Sequence, residues 1–191
     1  MISRIDHISI AVKDYSKALH FFKDILGAVP GAGAKNKAMK YHWQIFSFGD
    51  LSRLELIHPL GEDTFLTNFL NKNKQGGLHH ISLQTPDIQK AMYYLDNHHI
   101  PYFGYNEYGD FWKEFFIHPK DAFGVLIQIA EFNPDDWLDK TLVFPKDRKW
   151  EINKNKKGCM LSLLHPGGGY VKLQLTKAEI KELISELEQS G

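Results

Sequence analysis

The chain repeats itself. At a shift of 73 residues, Ile5-Asp6-His7-Ile8-Ser9-Ile10 lies over Leu78-His79-His80-Ile81-Ser82-Leu83, and Lys13 to Phe22 lies over Pro86 to Leu95 with Asp, Lys and Ala identical. The same shift carries Leu54-Glu55-Leu56-Ile57 onto Ile127-Gln128-Ile129-Ala130. Self-similarity at a fixed period means one supersecondary unit used twice, each copy needing the other to bury its apolar face.

Each half reads as a strand, a helix and then strands. In Ile5 to Val12, the side chains Ile8, Ile10 and Val12 make one apolar face and His7 and Ser9 point to the other, the period-2 signature of a strand with two different sides. Asp14 and Asp87 suit helix N-caps, and Ala18, Phe21, Phe22 and Ile25, or Ala91, Tyr94 and Leu95, follow at helical spacing, with Gly27 ending the first helix. Phe46 to Phe48, a Gly49-Asp50 turn and Arg53 to Ile57 predict a hairpin, mirrored by Phe115 to Ile117, a Lys120-Asp121 turn and Val125 to Ile129. The result is an α+β fold of two βαβββ modules, residues 1–73 and 74–131, joined by a short helix over 62–73 and a Lys74-Gln75-Gly76-Gly77 loop.

Residues 132–191 depart from the repeat. Asn133 to Lys157 reads as polar and loop-like, and the Lys154 to Lys157 run as a solvated turn. A hairpin, Cys159 to Leu164 and Tyr170 to Leu175, turns around Pro166-Gly167-Gly168-Gly169, where no helix follows to make a phosphate cradle. Thr176-Lys177-Ala178-Glu179 is a capping-box pattern opening a terminal helix with Ile180, Leu183, Ile184 and Leu187 as its apolar stripe, a face for core or dimer packing.

Composition narrows the function. Twenty-three Lys and Arg balance twenty-three Asp and Glu, so the basic footprint of a nucleic-acid partner is missing. One cysteine, Cys159, excludes a disulfide framework and a thiolate metal cluster. Met1 to His7 runs directly into strand-like sequence without a signal-peptide pattern, and no apolar run reaches membrane-spanning length, so the expectation is a cytoplasmic protein without a membrane partner.

The repeat also spaces polar residues equally: 55 minus 7 and 128 minus 80 are both 48. Glu55 lies opposite the Leu54/Leu56 face and Gln128 opposite the Ile127/Ile129 face, the phase that His7 has against Ile8 and Ile10. A pseudo-two-fold would therefore gather His7, Glu55, His80 and Gln128. Two imidazoles, one carboxylate and one amide oxygen make a mixed N/O site for one divalent ion such as Co, Ni, Mn, Fe or Zn, with positions open for water or substrate. His79, next to His80, faces the other side and is read as packing or hydrogen-bonded structure; His98 and His99 end the second helix, and His58 and His118, each before a proline, are read as turn residues.

On these residues the chain resembles the vicinal oxygen chelate (glyoxalase/bleomycin resistance/dioxygenase) superfamily, and within it the methylmalonyl-CoA epimerases. The stretches that carry the resemblance are Ile5 to Val12, Leu54 to Asp63, Lys74 to Ile81, and His118 to Asp121 with Gly124 to Ile127. The resemblance implies paired modules forming a curved, barrel-like mixed sheet, a divalent metal, a homodimer, and proton transfer at the carbon alpha to a thioester through an enolate. His7, Glu55, His80 and Gln128 fall on its ligand positions, and Lys120 on a place that could meet a CoA phosphate.

Two departures stand out. The family usually carries Glu as ligand and base where this chain has Gln128, and an amide does not accept a proton usefully near neutral pH. Glu55 is then the carboxylate left as both ligand and proton acceptor, and Glu131 lies on the wrong strand face to replace it. The stretch Tyr102 to Trp112 is aromatic where the family tends to be Gly-rich, which fits either a partly filled pocket or packing against the C-terminal hairpin. The expectation is an isomerase or epimerase acting on an acyl-CoA-like small molecule. Alternatives are a glyoxalase or lyase, an iron(II) oxygenase, or a non-catalytic protein binding a small aromatic molecule.

Overall fold

The computed structural model describes residues 2–49, 52–165 and 169–189. The chain divides into two compact units, residues 1–139 and 140–191. The division falls at 139 and not at 131, because the stretch just after the repeat packs on the first unit: Phe132 stacks on Trp112 and Trp137 lies against Trp43.

The first unit contains β1 (Arg4–Ala11), α1 (Tyr15–Leu19, continued by π-helical turns over His20–Ile25), β2 (Val29–Asn36), β3 (Tyr41–Ser47) and β4 (Arg53–Pro59). After α2 (Thr67–Lys72) come β5 (Gly77–Gln84), α3 (Ile88–Asn97), β6 (Phe103–Tyr108), β7 (Trp112–Ile117) and β8 (Leu126–Glu131). The strands form one eight-stranded mixed sheet in the order β2-β3-β4-β1-β5-β8-β7-β6. Each first strand pairs parallel with the last strand of its own module, and β1 and β5 meet antiparallel at the centre.

The register at that seam displays the two-fold directly. His7 stands opposite Ser82 and Ser9 opposite His80, each residue facing the repeat-mate of the other's neighbour. Within the modules Ser9 pairs with Glu55 and Ser82 with Gln128. Two-fold repetition about the β1/β5 seam thus brings both copies of the polar strand face together.

The helices cover the other face. Asp14 accepts from Lys17 N at 2.9 Å and Asp87 from Lys90 N at 2.9 Å, so both helices start at the expected caps. Ala18, Leu19 and Phe22 pack on Val12, Phe46, Leu54 and Leu56; Ile88, Ala91 and Leu95 do the same with Phe115, Ile117 and Ile129. Glu131 caps α3, accepting from Ile88 N at 2.7 Å, which is the structural use of its opposite phase. The linker helix is shorter than expected, and its Leu70 joins Leu66, Ala11 and Ile57 in a third cluster. His58 lies inside β4 and not in a turn, its ring stacked on Tyr15 with centroids 5.0 Å apart.

The second unit is a three-stranded antiparallel sheet of β9 (Trp150–Asn155), β10 (Gly158–Leu164) and β11 (Tyr170–Thr176), followed by α4 (Lys177–Gln189). The strand β9 corrects the loop expected over 133–157: its polar residues pair through their backbone along β10, which a side-chain pattern does not reveal. The capping box forms, with Thr176 N donating to Glu179 Oε2 at 2.7 Å and Glu179 N to Thr176 Oγ1 at 3.3 Å. Asp50 and the Pro166-Gly167-Gly168 part of the expected turns lie outside the described residues. Among those described, no helix is long and apolar enough to cross a membrane.

Candidate metal centre

The four residues singled out by spacing are all buried, none more than 9% exposed. His7, Glu55 and His80 each bring one ligand atom to a cluster in which those atoms lie within 4.8 Å of one another. His7 Nε2 is 3.8 Å and His80 Nε2 3.6 Å from Glu55 Oε2, and the two rings stand nearly edge to face with centroids 5.5 Å apart.

What surrounds the cluster fixes which atoms face inward. The Asp6 carboxylate accepts from His7 Nδ1 at 2.8 Å, which turns Nε2 toward Glu55. His79 Nδ1 lies 2.9 Å from His80 Nδ1; when His80 donates in that contact, its Nε2 is likewise the free ligand atom. His79 itself is wedged against Phe65 and Phe69, so it is hydrogen-bonded structure, as expected. Gln128 Nε2 donates to Glu114 Oε2 at 2.6 Å, which turns Oε1 the other way. Among the described residues, three buried side-chain atoms of these four residues have no hydrogen-bond partner: His7 Nε2 and His80 Nε2, both close to Glu55 Oε2, and Gln128 Oε1. Buried polar atoms are rarely orphaned. Together with the Glu55 carboxylate they match the donor set that a divalent ion would satisfy.

The electrostatics agree with that use. Burial pushes the Glu55 carboxyl above its ordinary value, opposed by His7 and by the Ser9 hydroxyl, which donates to Oε2 at 2.5 Å. Burial, with the nearby His7 and His79, holds the His80 imidazole well below its usual value and so neutral, the state a ligand needs. Burial would also raise Asp6, but the His7 hydrogen bond and the charges of His7, Arg53 and Arg4 outweigh it and lower that carboxyl. Arg4 and Arg53 both donate to Asp6 Oδ1, so a buried ion-pair triad stands behind His7.

The cluster lies at a pocket of about 270 Å³ lined by His7, Glu55 and Gln128, and by a residue the sequence reading passed over, Glu114. Glu114 accepts from Gln128 and, at 2.8 Å, from Trp112 Nε1, and burial raises its carboxyl. Its phase was available as a signal: in Trp112-Lys113-Glu114-Phe115-Phe116-Ile117 it lies opposite the core residues Phe115 and Ile117. Lys120, by contrast, is exposed in the short Pro119–Asp121 turn and does not line the pocket. Of the aromatic stretch, Tyr108, Phe111 and Trp112 line the pocket, while Tyr102 packs on Phe115.

Fold and donor set define a class, paired βαβββ modules around a mixed N/O centre, and comparison with known proteins gives it a name. Residues 6–114 match the Glyoxalase/Bleomycin resistance protein/Dioxygenase superfamily, and the chain belongs to that family. Its relatives are isomerases. It is 34% identical over 134 residues to the mitochondrial methylmalonyl-CoA epimerase of Mus musculus, covering 68% of this chain and 74% of the mouse protein. It is 35% identical to the ethylmalonyl-CoA/methylmalonyl-CoA epimerase of Cereibacter sphaeroides, covering 69% of this chain and 99% of that protein. Among solved structures, methylmalonyl-CoA epimerase from Mycobacterium tuberculosis superposes with a TM-score of 0.63 at 26% identity, covering 70% of this chain and 90% of that one. A Streptomyces coelicolor methylmalonyl-CoA epimerase variant in complex with 2-nitronate-propionyl-CoA gives 0.60 at 25% identity, covering 69% and 99%.

Proposed function

We propose that the protein is an epimerase that moves a proton off and back onto the carbon alpha to an acyl-CoA-like thioester, with one divalent ion held by His7, Glu55, His80 and Gln128. The observation that carries this is the convergence of two unpartnered imidazole nitrogens, His7 Nε2 and His80 Nε2, on the Glu55 carboxylate, in a chain whose relatives include methylmalonyl-CoA epimerases. When bound, such an ion supplies Lewis acidity toward a substrate oxygen.

The chain's own residues divide the remaining work. Epimerisation requires a proton acceptor on each face of the reacting carbon, or a substrate that turns over in the site. Glu55 and Glu114 both line the pocket, and burial raises both carboxyls toward working pH. Glu55 takes or returns the proton on one face, and Glu114 does so on the other. Gln128, unable to carry a proton, serves as a neutral oxygen donor and as the link to Glu114. Asp6 and His79 orient the two imidazoles, and Ser9 orients Glu55. Exposed Lys120 is offered for a phosphate of the CoA moiety.

Incubation of the metal-loaded protein with single-enantiomer 2-substituted malonyl thioesters in deuterium oxide tests the assignment. Deuterium incorporation at the alpha carbon with loss of optical purity is expected, abolished by chelator and by His80→Ala. Absence of exchange on every thioester, with metal bound, overturns it.

A further inference from the structure

The pocket walls are far more aromatic than a small aliphatic substituent requires. Around the polar floor of His7, Glu55, Gln128 and Glu114 stand Tyr41, Trp43, Tyr108, Phe111, Trp112 and Trp137. Three of the four tryptophans of the chain are therefore spent on this one cavity.

Their rings are held in place by packing. Trp137 comes from beyond the repeat, in the short Pro134–Trp137 turn, and meets Trp43 at 5.5 Å and Trp112 at 4.9 Å between centroids. Trp112 in turn stacks on Phe132 at 4.6 Å, and its indole N–H is tied to Glu114. The Trp137 backbone is seated on Gly31, where a Cβ would come within 2.5 Å of the Trp137 carbonyl oxygen, so the sequence keeps β2 bare to admit this turn. The buried Trp137 Nε1 has no hydrogen-bond acceptor among the described residues, which leaves a donor in the wall.

Charge is distributed to match. Arg4 and Arg53 are committed to Asp6, and among the described residues the cation lining the pocket is the exposed Lys35. A charged side group lying against the rings would lose hydration that the ring faces do not replace, the exposed Lys35 and the Trp137 N–H being the cation and the free donor at hand. A flat apolar group would meet rigid ring faces and edges, the arrangement in which aromatic contacts add most beyond burial. The volume suits it as well: a dry cavity of about 150 Å³ accepts benzene, and this pocket offers about 270 Å³.

We infer that the site selects thioesters whose alpha substituent is a bulky apolar group, best an aromatic one, with Trp43, Trp112 and Trp137 as the specificity-determining residues. This rests on the epimerase assignment for the thioester, but the binding preference stands or falls by itself.

The experiment compares 2-methyl-, 2-butyl- and 2-benzylmalonyl thioesters on the metal-loaded full chain. Exchange is read by deuterium incorporation. Binding is read by calorimetry with 2,2-disubstituted analogues, which have no alpha hydrogen and so report affinity whether or not chemistry occurs. The benzyl compound is expected to bind about tenfold or more tightly than the methyl one, in the range that pocket complementarity supplies. Trp137→Ala and Trp43→Ala should erase most of that ratio, weakening benzyl binding more than methyl binding. Trp137→Phe should keep part of it, which guards against a misfolded alanine variant. Equal or tighter binding of the methyl compound by the wild type overturns the inference. A benzyl preference in binding without exchange on any compound upholds it and sinks the epimerase assignment instead.

Discussion

Gln128 donates from its amide nitrogen to Glu114 Oε2 across 2.6 Å, which leaves its amide oxygen, buried and without a hydrogen-bond partner among the described residues, as the end available to the proposed metal centre. On that reading the second module carries a carboxylate that holds a proposed ligand rather than one that is itself a ligand. Separating the two jobs predicts separable effects. Glu114→Gln retains an acceptor for the Gln128 N–H, so metal stoichiometry should be unchanged, while epimerisation falls by about 10²–10⁴, the usual range for a proton carrier. Glu114→Leu should in addition weaken metal binding by about tenfold or more, as loss of a ligand's supporting partner does. Calorimetric metal titration beside exchange assays checks both, and a Glu114→Gln variant of normal rate removes Glu114 from the mechanism.

Asp6 predicts a cost of a different kind. It compensates both Arg4 and Arg53 while orienting His7, and its side chain is 3% exposed. Asp6→Ala leaves two guanidinium groups facing each other without a counter-charge, a loss of about 3–5 kcal/mol for breaking a buried pair. Urea unfolding of the metal-free protein measures it. A loss below about 1 kcal/mol would mean that water or rearrangement already shields these charges.

Much of this was legible in the sequence because a two-fold repeat carries tertiary information. The 73-residue shift made His7 equivalent to His80 and Ser9 to Ser82, and the structure sets these equivalent positions about the seam, His7 opposite Ser82 and Ser9 opposite His80. Period-2 phase then put Glu55 and Gln128 on the same face. What escaped was whatever the two copies do not share, or lies beyond them. Glu114 sits one position before the hairpin as first delimited, at Phe115, and its significance lies in a bond to Gln128 that no spacing rule states. Trp137 reaches the pocket from residues read as loop, because a packed turn has no periodicity to show. Strand β9 was missed for a related reason: apart from the half-buried Glu151 its residues are all exposed, so no burial alternation marks it and its pairing is a backbone matter.

Gly76 marks the entry to the second module and gives a prediction about the fold. Its φ is +87°, and a Cβ there would approach Ala11 O within 2.4 Å, at the point where β5 joins the end of β1. Both the backbone region and the space exclude a side chain. Gly76→Ala should cost about 2–4 kcal/mol through strain and overpacking, and because the seam carries both halves of the site, metal affinity should fall with it. Gly61→Ala, where nothing lies within 4 Å, is the control. Equal stability of the two variants contradicts the close approach at the seam.

The last prediction concerns acid. Burial lowers the His79 imidazole to about 4 and holds His80 well below its ordinary 6.5, so both remain neutral in the fold at pH values where the unfolded chain is protonated. For groups whose pKa is depressed on folding, the unfolded state binds more protons, and the stability present above the unfolded pKa is lost as pH falls through the folded one. For His79 the window runs from 6.5 down to about 4, and the difference corresponds to a loss on the order of 3 kcal/mol. Glu55 works in the opposite direction. Its carboxyl is raised above 4.5 by burial, so its contribution is complete below 4.5 and disappears as pH rises through the folded value. The Glu114 carboxyl, also raised by burial, works with Glu55, while burial lowers His42 and His58 in the same direction as His79 and His80. The metal-free protein should therefore lose stability on acidification most steeply below pH 4.5, where neither glutamate offsets the histidines. Urea midpoints in chelator at intervals from pH 7 to 4 record the slope. His79→Phe, which fills the same space between Phe65 and Phe69, should flatten it by the His79 share between 6.5 and about 4. Superimposable pH profiles for the wild type and His79→Phe would show that His79 is protonated in the fold, and would remove it as the neutral partner that orients His80.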